Sequence, residues 1–180
     1  VPHLLQQGKR VIDLGGDFRL KDPALYEKYY RRDHAAKNLL SESVYGLPEI
    51  NRQQIASAQL VANPGCYPTS AILSLAPVLK KRIVSLTGII INSLSGVSGA
   101  GKNASLEYSF VEVNESVRAY KVGAHQHTPE IKSFLEQMVG SKVSISFVPH
   151  LIPITRGIYT TIYAELLDRS SEQEILSVFD

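Results

Sequence analysis

The chain has 180 residues, is 44% apolar and 20% charged, and carries a formal net charge of +2. That is enough apolar material for a real core and too little net charge to argue for nucleic acid or an acidic membrane surface as partner. One cysteine excludes an internal disulfide framework, and no run reaches the length of a membrane span.

The length suits one domain or one and a half. The short basic clusters, Arg31-Arg32 and Lys80-Lys81-Arg82, read as solvated faces. No basic-then-apolar leader opens the sequence, so a reducing, cytoplasmic setting is expected. The chain opens without Met, its only methionine is Met138, and it reads as a piece of a longer polypeptide.

Val11 to Leu14 reads as a strand that runs into a turn at Gly15-Gly16. The stretch KDPALYEKYYRR reads as a helix, with Asp22 as N-cap and Pro23 at the first helical position. NRQQIASA predicts a short helix capped by Asn51, and QLVAN a short strand stopped by Pro64-Gly65. From Pro68 the pattern is helical, with a kink or break expected at Pro77. Thr87 to Leu94 is an apolar strand, followed by a Gly/Ser loop and a helix over NASLEYSF. TPEIKSFLEQMV predicts a strong helix with Thr128 as cap, Pro129 first and Glu130 favouring the N-terminal dipole. KVSISFVP and GIYTTIYAEL alternate as half-buried antiparallel strands, the second with Ile158, Thr160, Ile162 and Ala164 on one face. SSEQEILSVFD closes as a helix. The sum predicts an α+β fold with one substantial mixed or antiparallel sheet.

The lone cysteine, Cys66, sits between Pro64-Gly65 and Tyr67-Pro68, after a strand and at the start of a helix. Free amide N–H groups at a helix mouth lower a thiol pKa and can hold an oxyanion. On spacing alone Cys66 is equally an activated nucleophile or a small buried hydrophobe.

His125 and His127 lie two apart just before a helix. An imidazole held there could serve a thiol as general base. Two satisfied polar residues at a helix entry is the plainer reading, and a metal would need a third ligand from Glu130 or His150, so no metal is expected. His3 and His34 have no supporting context.

Gly96 to Lys102 spells G-x-x-x-x-G-K, nearly a triphosphate-binding loop, but Asn103 stands where a Mg²⁺-holding Ser or Thr belongs. The loop also fails the dinucleotide fingerprint. It is expected to expose backbone N–H groups, or else to be a plain surface loop. Arg19 and Arg156, each at a strand–loop junction, suit a carboxylate or phosphate, or a surface salt bridge.

Taken together, DFRL, YGLPE (45–49), NPGCYPT (63–69), SGVSGAG (95–101), HQHTPE (125–130) and HLIPITRGI (150–158) closely resemble the N-acetyl-γ-glutamyl-phosphate reductase family, the arginine-biosynthesis relatives of aspartate-semialdehyde dehydrogenase. The resemblance covers nearly the whole chain. One departure is Gly15-Gly16 before DFRL, where the family usually has Ser-Ala. The family also begins with a Rossmann half and ends with a segment returning to it. This chain is therefore expected to be the tail of a dinucleotide-binding domain (1–62) followed by most of a glyceraldehyde-3-phosphate-dehydrogenase-like catalytic and dimerisation domain (63–180).

The resemblance implies that Cys66 forms a thioester from an acyl phosphate, with NADPH as the hydride donor. It gives proton transfer to His127 first and His125 second. It gives substrate contacts to Arg19 and Arg156, with Tyr67 and Glu130 beside them. It places the nicotinamide end of NADP(H) near Ser95, Gly96, Ser98, Gly99, Ala100 and Gly101, and it implies a homodimer or homotetramer. The rival readings are a lysine-pathway reductase whose substrate is one methylene longer, a P-loop nucleotide hydrolase, and a non-catalytic interaction domain. A methylene is worth only about 1–3 kcal/mol of discrimination.

Overall fold

The computed structural model describes residues 1–101 and 103–180; Lys102, the lysine of the G-x-x-x-x-G-K stretch, lies outside the described residues. Helix α1 (Pro2–Gln6) is followed by β1 (Val11–Asp13), α2 (Pro23–Tyr30), β2 (Val44–Tyr45), α3 (Pro48–Ser57) and β3 (Leu60–Ala62). The three strands form a parallel sheet in the order β1-β3-β2. Leu60, Val61 and Ala62 are all buried, as the central strand of a parallel sheet requires. Leu60 and Ala62 pack with Phe18, Leu39 and Leu40 in a small core of their own.

Local signals decide where these helices start. Asp22 accepts the Ala24 N–H at 2.8 Å and Pro23 takes the first turn of α2, as the sequence predicts. Helix α3 starts four residues earlier than an Asn51 cap implies, at Pro48, whose fixed φ and missing N–H suit a first position. Asn51 therefore falls inside the helix, at a kink (φ −114°, ψ 25°), and its Nδ2 donates to the Tyr45 carbonyl at 2.9 Å instead of capping.

The rest of the chain adds α4 (Cys66–Lys80), β4 (Ile89–Ser95), α5 (Phe110–Val113), β5 (Arg118–Ala119), α6 (His127–Val139), β6 (Ile145–Leu151), β7 (Ile158–Tyr163) and α7 (Glu172–Leu176). Its four strands form a mixed sheet in the order β5-β6-β4-β7. The α+β class and the mixed sheet are as expected: β7 pairs antiparallel with β4 and β5 antiparallel with β6, but β6 pairs in parallel with β4. The long connection through α5, β5 and α6 is a crossover, and a crossover returns the chain parallel.

Helices α4 and α6 pack on each other and on one face of this sheet. Ala71, Ile72 and Leu75 of α4 meet Ile131 and Leu135 of α6 and Ile89, Ile91 and Phe147 of the sheet in one buried cluster. Ile158, Ile162 and Ala164 lie against the same cluster, which is the face their alternation predicts. Ile90, Tyr159 and Tyr163 point the other way and are exposed.

Other expectations are corrected. Helix α4 runs through Pro77 without ending, because the surrounding Ala76, Val78 and Leu79 are buried and packing outweighs one missing hydrogen bond. Residues 103–110 are not one helix: a 3₁₀ turn (Leu106–Tyr108) and then α5 are separated by an extended Ser109. Leu106 and Phe110 are exposed, so no core contact holds that stretch helical. Helix α6 starts at His127, with Gln126 rather than Thr128 as N-cap, and ends at a left-handed Gly140.

Candidate active site

Strand β3 delivers the chain to Asn63-Pro64-Gly65 and then directly into α4, whose first residue is Cys66. The Asn63 N–H donates to Asp13 O at 2.9 Å, which ties the turn to β1. Cys66 is exposed. Its own N–H and that of Tyr67 are the backbone donors that favour the thiolate, while Pro68 has no N–H to offer. These amides lower the thiol pKa, as the helix-mouth argument expects. The protein packed along the flank of Cys66 has the larger effect, and the net direction is upward.

Glu130, on the first turn of α6, is buried directly behind this turn. Its Oε1 accepts from the Gly65 N–H at 2.8 Å and from the Tyr45 hydroxyl at 2.8 Å. Its Oε2 lies 3.5 Å from Arg19 Nη1. Desolvation raises its pKa, and Arg19, the Gly65 amide and the Tyr45 hydroxyl pull the other way. Arg19 also donates from Nε to Asn63 O at 2.7 Å and from Nη2 to Leu14 O at 3.1 Å. Its guanidinium is thus engaged on all three nitrogens with the walls of the Cys66 turn.

His127 and His125 stand beside the turn. His127 packs over Gly65 so closely that a Cβ there would lie 2.5 Å from its Nε2. The His127 N–H donates to His125 Nδ1 at 3.0 Å, which leaves the proton of a neutral His125 on Nε2. Burial lowers the pKa of His125 to about 4 and that of His127 to about 3, so both are neutral near pH 7. His127 Nδ1 is buried without a hydrogen-bond partner among the described residues. Tyr67 is buried beneath both rings and shares a 2.8 Å hydroxyl contact with Tyr120. No group of three or more His, Cys, Asp or Glu side chains among the described residues is arranged to hold a metal ion.

A cavity of about 260 Å³ opens beside His125, lined among others by Ser95, Gly96, Gly99, Ala100 and Tyr120. The glycine loop and His125 therefore share one cavity. The loop does not expose its amides as expected: Gly96, Val97 and Ser98 donate to Gly157, Ile154 and Thr155 carbonyls at 2.9–3.0 Å. A phosphate cradle needs those amides free. Ser98, Gly99, Ala100 and Gly101 instead form a ledge of small exposed residues. Arg156 sits on the segment docked against this loop, with its side chain exposed.

The structure thus gathers Cys66, Tyr67, His125, His127, Glu130 and Arg19 around one turn, with Ser95–Gly101 alongside. Sequence reasoning missed Tyr120 and left Tyr45, inside the quoted YGLPE, without a role. Tyr45 is 85 residues from Glu130, and no spacing could have joined them.

A single exposed thiol at a helix mouth, between a parallel sheet and a mixed sheet, defines a class of protein. The chain belongs to the semialdehyde dehydrogenase family: the description "Semialdehyde dehydrogenase, dimerisation domain" matches residues 66–180, and "Semialdehyde dehydrogenase, NAD binding domain" matches residues 1–58. It is 55% identical over 174 residues to N-acetyl-gamma-glutamyl-phosphate reductase of Pelotomaculum thermopropionicum, covering 97% of this chain and 50% of that one. It is 51% identical over 180 residues to the protein of the same name from Geobacter metallireducens, covering 99% and 52%. The chain spans about half the length of the curated relatives it matches. Among solved structures, aspartate semialdehyde dehydrogenase II from Vibrio cholerae shares the fold (TM-score 0.71, 14% identity, 98% of this chain and 54% of that one). The aspartate semialdehyde dehydrogenase from Francisella tularensis does too (TM-score 0.65, 12% identity, 99% and 58%).

Proposed function

We propose that this chain carries the catalytic centre of an NADP-dependent reductase that converts N-acetyl-γ-glutamyl phosphate to N-acetylglutamate semialdehyde in arginine biosynthesis. One observation carries the reading: Cys66 is exposed at the first position of α4 beside two neutral imidazoles. The relatives' shared name supports the substrate. We divide the chain into the tail of a dinucleotide-binding domain (1–62) and a catalytic and dimerisation domain (63–180).

In this reading the Cys66 thiol gives its proton to a neutral imidazole, His127 first and His125 second. The thiolate attacks the acyl carbon, the C–S bond forms, the C–O bond to phosphate breaks and a thioester remains. The Cys66 and Tyr67 amides stabilise the oxyanion of that step. When bound, the nicotinamide cofactor supplies hydride to the acyl carbon. The small ledge of Ser98, Gly99, Ala100 and Gly101, with Ser95 and Gly96 behind it, fits a flat ring because no long side chain stands in the way. The protonated histidine returns its proton as the thiohemiacetal collapses and the Cys66 thiolate leaves. Glu130, Arg19 and Tyr67 hold the turn and the imidazoles around the substrate, and the exposed Arg156 meets its carboxylate or phosphate.

A homo-oligomer in the cytoplasm completes the proposal. It is supported by the family's dimerisation domain and by the single unpaired thiol. No described helix is long and apolar enough to cross a membrane. The test is NADPH oxidation by the intact protein with N-acetyl-γ-glutamyl phosphate, with N-acetyl-aminoadipyl phosphate and with neither. Turnover is expected on the first, less on the second and none in Cys66→Ala. Preference for the longer substrate, or turnover without Cys66, would overturn the proposal.

A further inference from the structure

A chain of three hydroxyls runs from the middle of the four-stranded sheet to the first turn of α4. Ser93 on β4 stands opposite Thr160 on β7, and their hydroxyl oxygens are 2.9 Å apart. Thr160 Oγ1 is also 2.9 Å from Ser70 Oγ, which in turn donates to the Tyr67 carbonyl at 3.0 Å. Each hydroxyl has one proton. Donation from Ser70 to Tyr67 therefore fixes the order: Thr160 donates to Ser70, and Ser93 donates to Thr160. Ser93 is completely buried, so this contact gives its proton an acceptor inside the protein.

The far end of the chain is the turn that carries Cys66. Cys66, Ser70 and Ser74 share one stripe of α4, four residues apart, and the first apolar anchor on that stripe is Val78, three turns beyond Cys66. The apolar contacts of α4 begin on other faces, at Tyr67, Pro68, Ala71 and Ile72. Thr160 ties the Cys66 end of that stripe to the sheet through hydrogen bonds.

We propose that Thr160 is a positioning residue for Cys66, holding the first turn of α4 in register so that the Cys66 and Tyr67 amides stay aimed at the thiol. The inference rests on the reading of Cys66 as the nucleophile. Losing the register withdraws amide stabilisation from the thiolate, and the thiol then ionises at higher pH.

The experiment measures iodoacetamide alkylation of Cys66 against pH in the intact protein, with kcat and KM for the acyl phosphate beside it, in wild type, Thr160→Val, Thr160→Ser and Ser70→Ala. Thr160→Val should move the alkylation midpoint upward by about half a pH unit. It should also lower kcat about tenfold with KM little changed. Thr160→Ser should restore both, and Ser70→Ala should move the midpoint the same way as Thr160→Val. If Thr160→Val lowers the thermal midpoint but leaves the alkylation midpoint and kcat at wild-type values, Thr160 only packs and the proposal is overturned. If Thr160→Val does not fold, an unmoved midpoint in Ser70→Ala overturns it equally. Failure of the nucleophile reading is seen separately, as turnover that survives Cys66→Ala.

Discussion

The carboxylate of Glu130 holds the backbone of Gly65: Oε1 accepts its N–H at 2.8 Å across 65 residues of sequence. Gly65 precedes Cys66, so the first turn of α6 fixes the turn that presents the thiol. Arg19 closes the arrangement from the other side, 3.5 Å from the second oxygen. A change at Glu130 is therefore felt both in stability and at the thiol.

Glu130→Ala leaves the Arg19 guanidinium and the Gly65 N–H buried without their partner. Breaking a buried pair in this way costs about 3–5 kcal/mol. Glu130→Gln keeps an oxygen for Gly65 and should lose less. Urea unfolding midpoints of the two variants check the ranking.

Gly65→Ala tests how closely His127 must lie over the turn. The new Cβ would stand 2.5 Å from Nε2 and 2.8 Å from Cδ2 of His127, so the imidazole must move. Gly65 has φ −65°, which alanine adopts freely, so the backbone itself is not strained. The expected result is a fall in kcat of about a hundredfold with a small change in melting temperature. Steady-state kinetics beside a thermal melt separates the two.

The histidine pair makes stability depend on pH with a definite sign. Folding lowers His125 from 6.5 to about 4 and His127 to about 3. The unfolded chain thus binds protons that the folded chain refuses, and this contribution is full above about pH 6.5 and lost as pH falls from there toward 3. Glu130 acts oppositely, since its raised pKa favours the folded state at low pH, and stability falls as pH rises from its ordinary 4.5 through the folded value. Urea midpoints should drop between about pH 7 and pH 5 in wild type, and less in a His125→Asn, His127→Asn double variant.

The glycine loop is fixed by backbone. A Cβ on Gly96 would lie 2.8 Å from Arg156 N and 2.9 Å from Ile154 O, neither of which can swing aside. Gly96→Ala should therefore loosen the 152–157 segment. Faster tryptic cleavage after Arg156 is the expected readout.

Much of the fold was legible because local rules and tertiary packing agreed. Asp22-Pro23 starts α2, and the alternation in β7 faces the core as read. Where they disagreed, packing won: Pro77 does not end a helix whose neighbours are buried, and the direction of β6 follows from a crossover that periodicity does not encode. At the site, Cys66, His125 and His127 were visible as residue types at helix entries. Their support was not. The contacts of Tyr45 with Glu130, and of Ser93, Ser70 and Thr160 with one another, join residues far apart in sequence with no pattern to announce them. The expected free amides of the glycine loop were wrong because the loop 152–157 docks there and takes them.

The central claim is that Cys66 carries the acyl group. The most direct measurement mixes the intact protein with N-acetyl-γ-glutamyl phosphate in the absence of NADPH, quenches in acid and weighs the protein by mass spectrometry. The expected result is an N-acetylglutamyl adduct on the peptide containing Cys66, released by hydroxylamine and missing in Cys66→Ala. An adduct that persists in Cys66→Ala, or turnover with no adduct on Cys66, would contradict it.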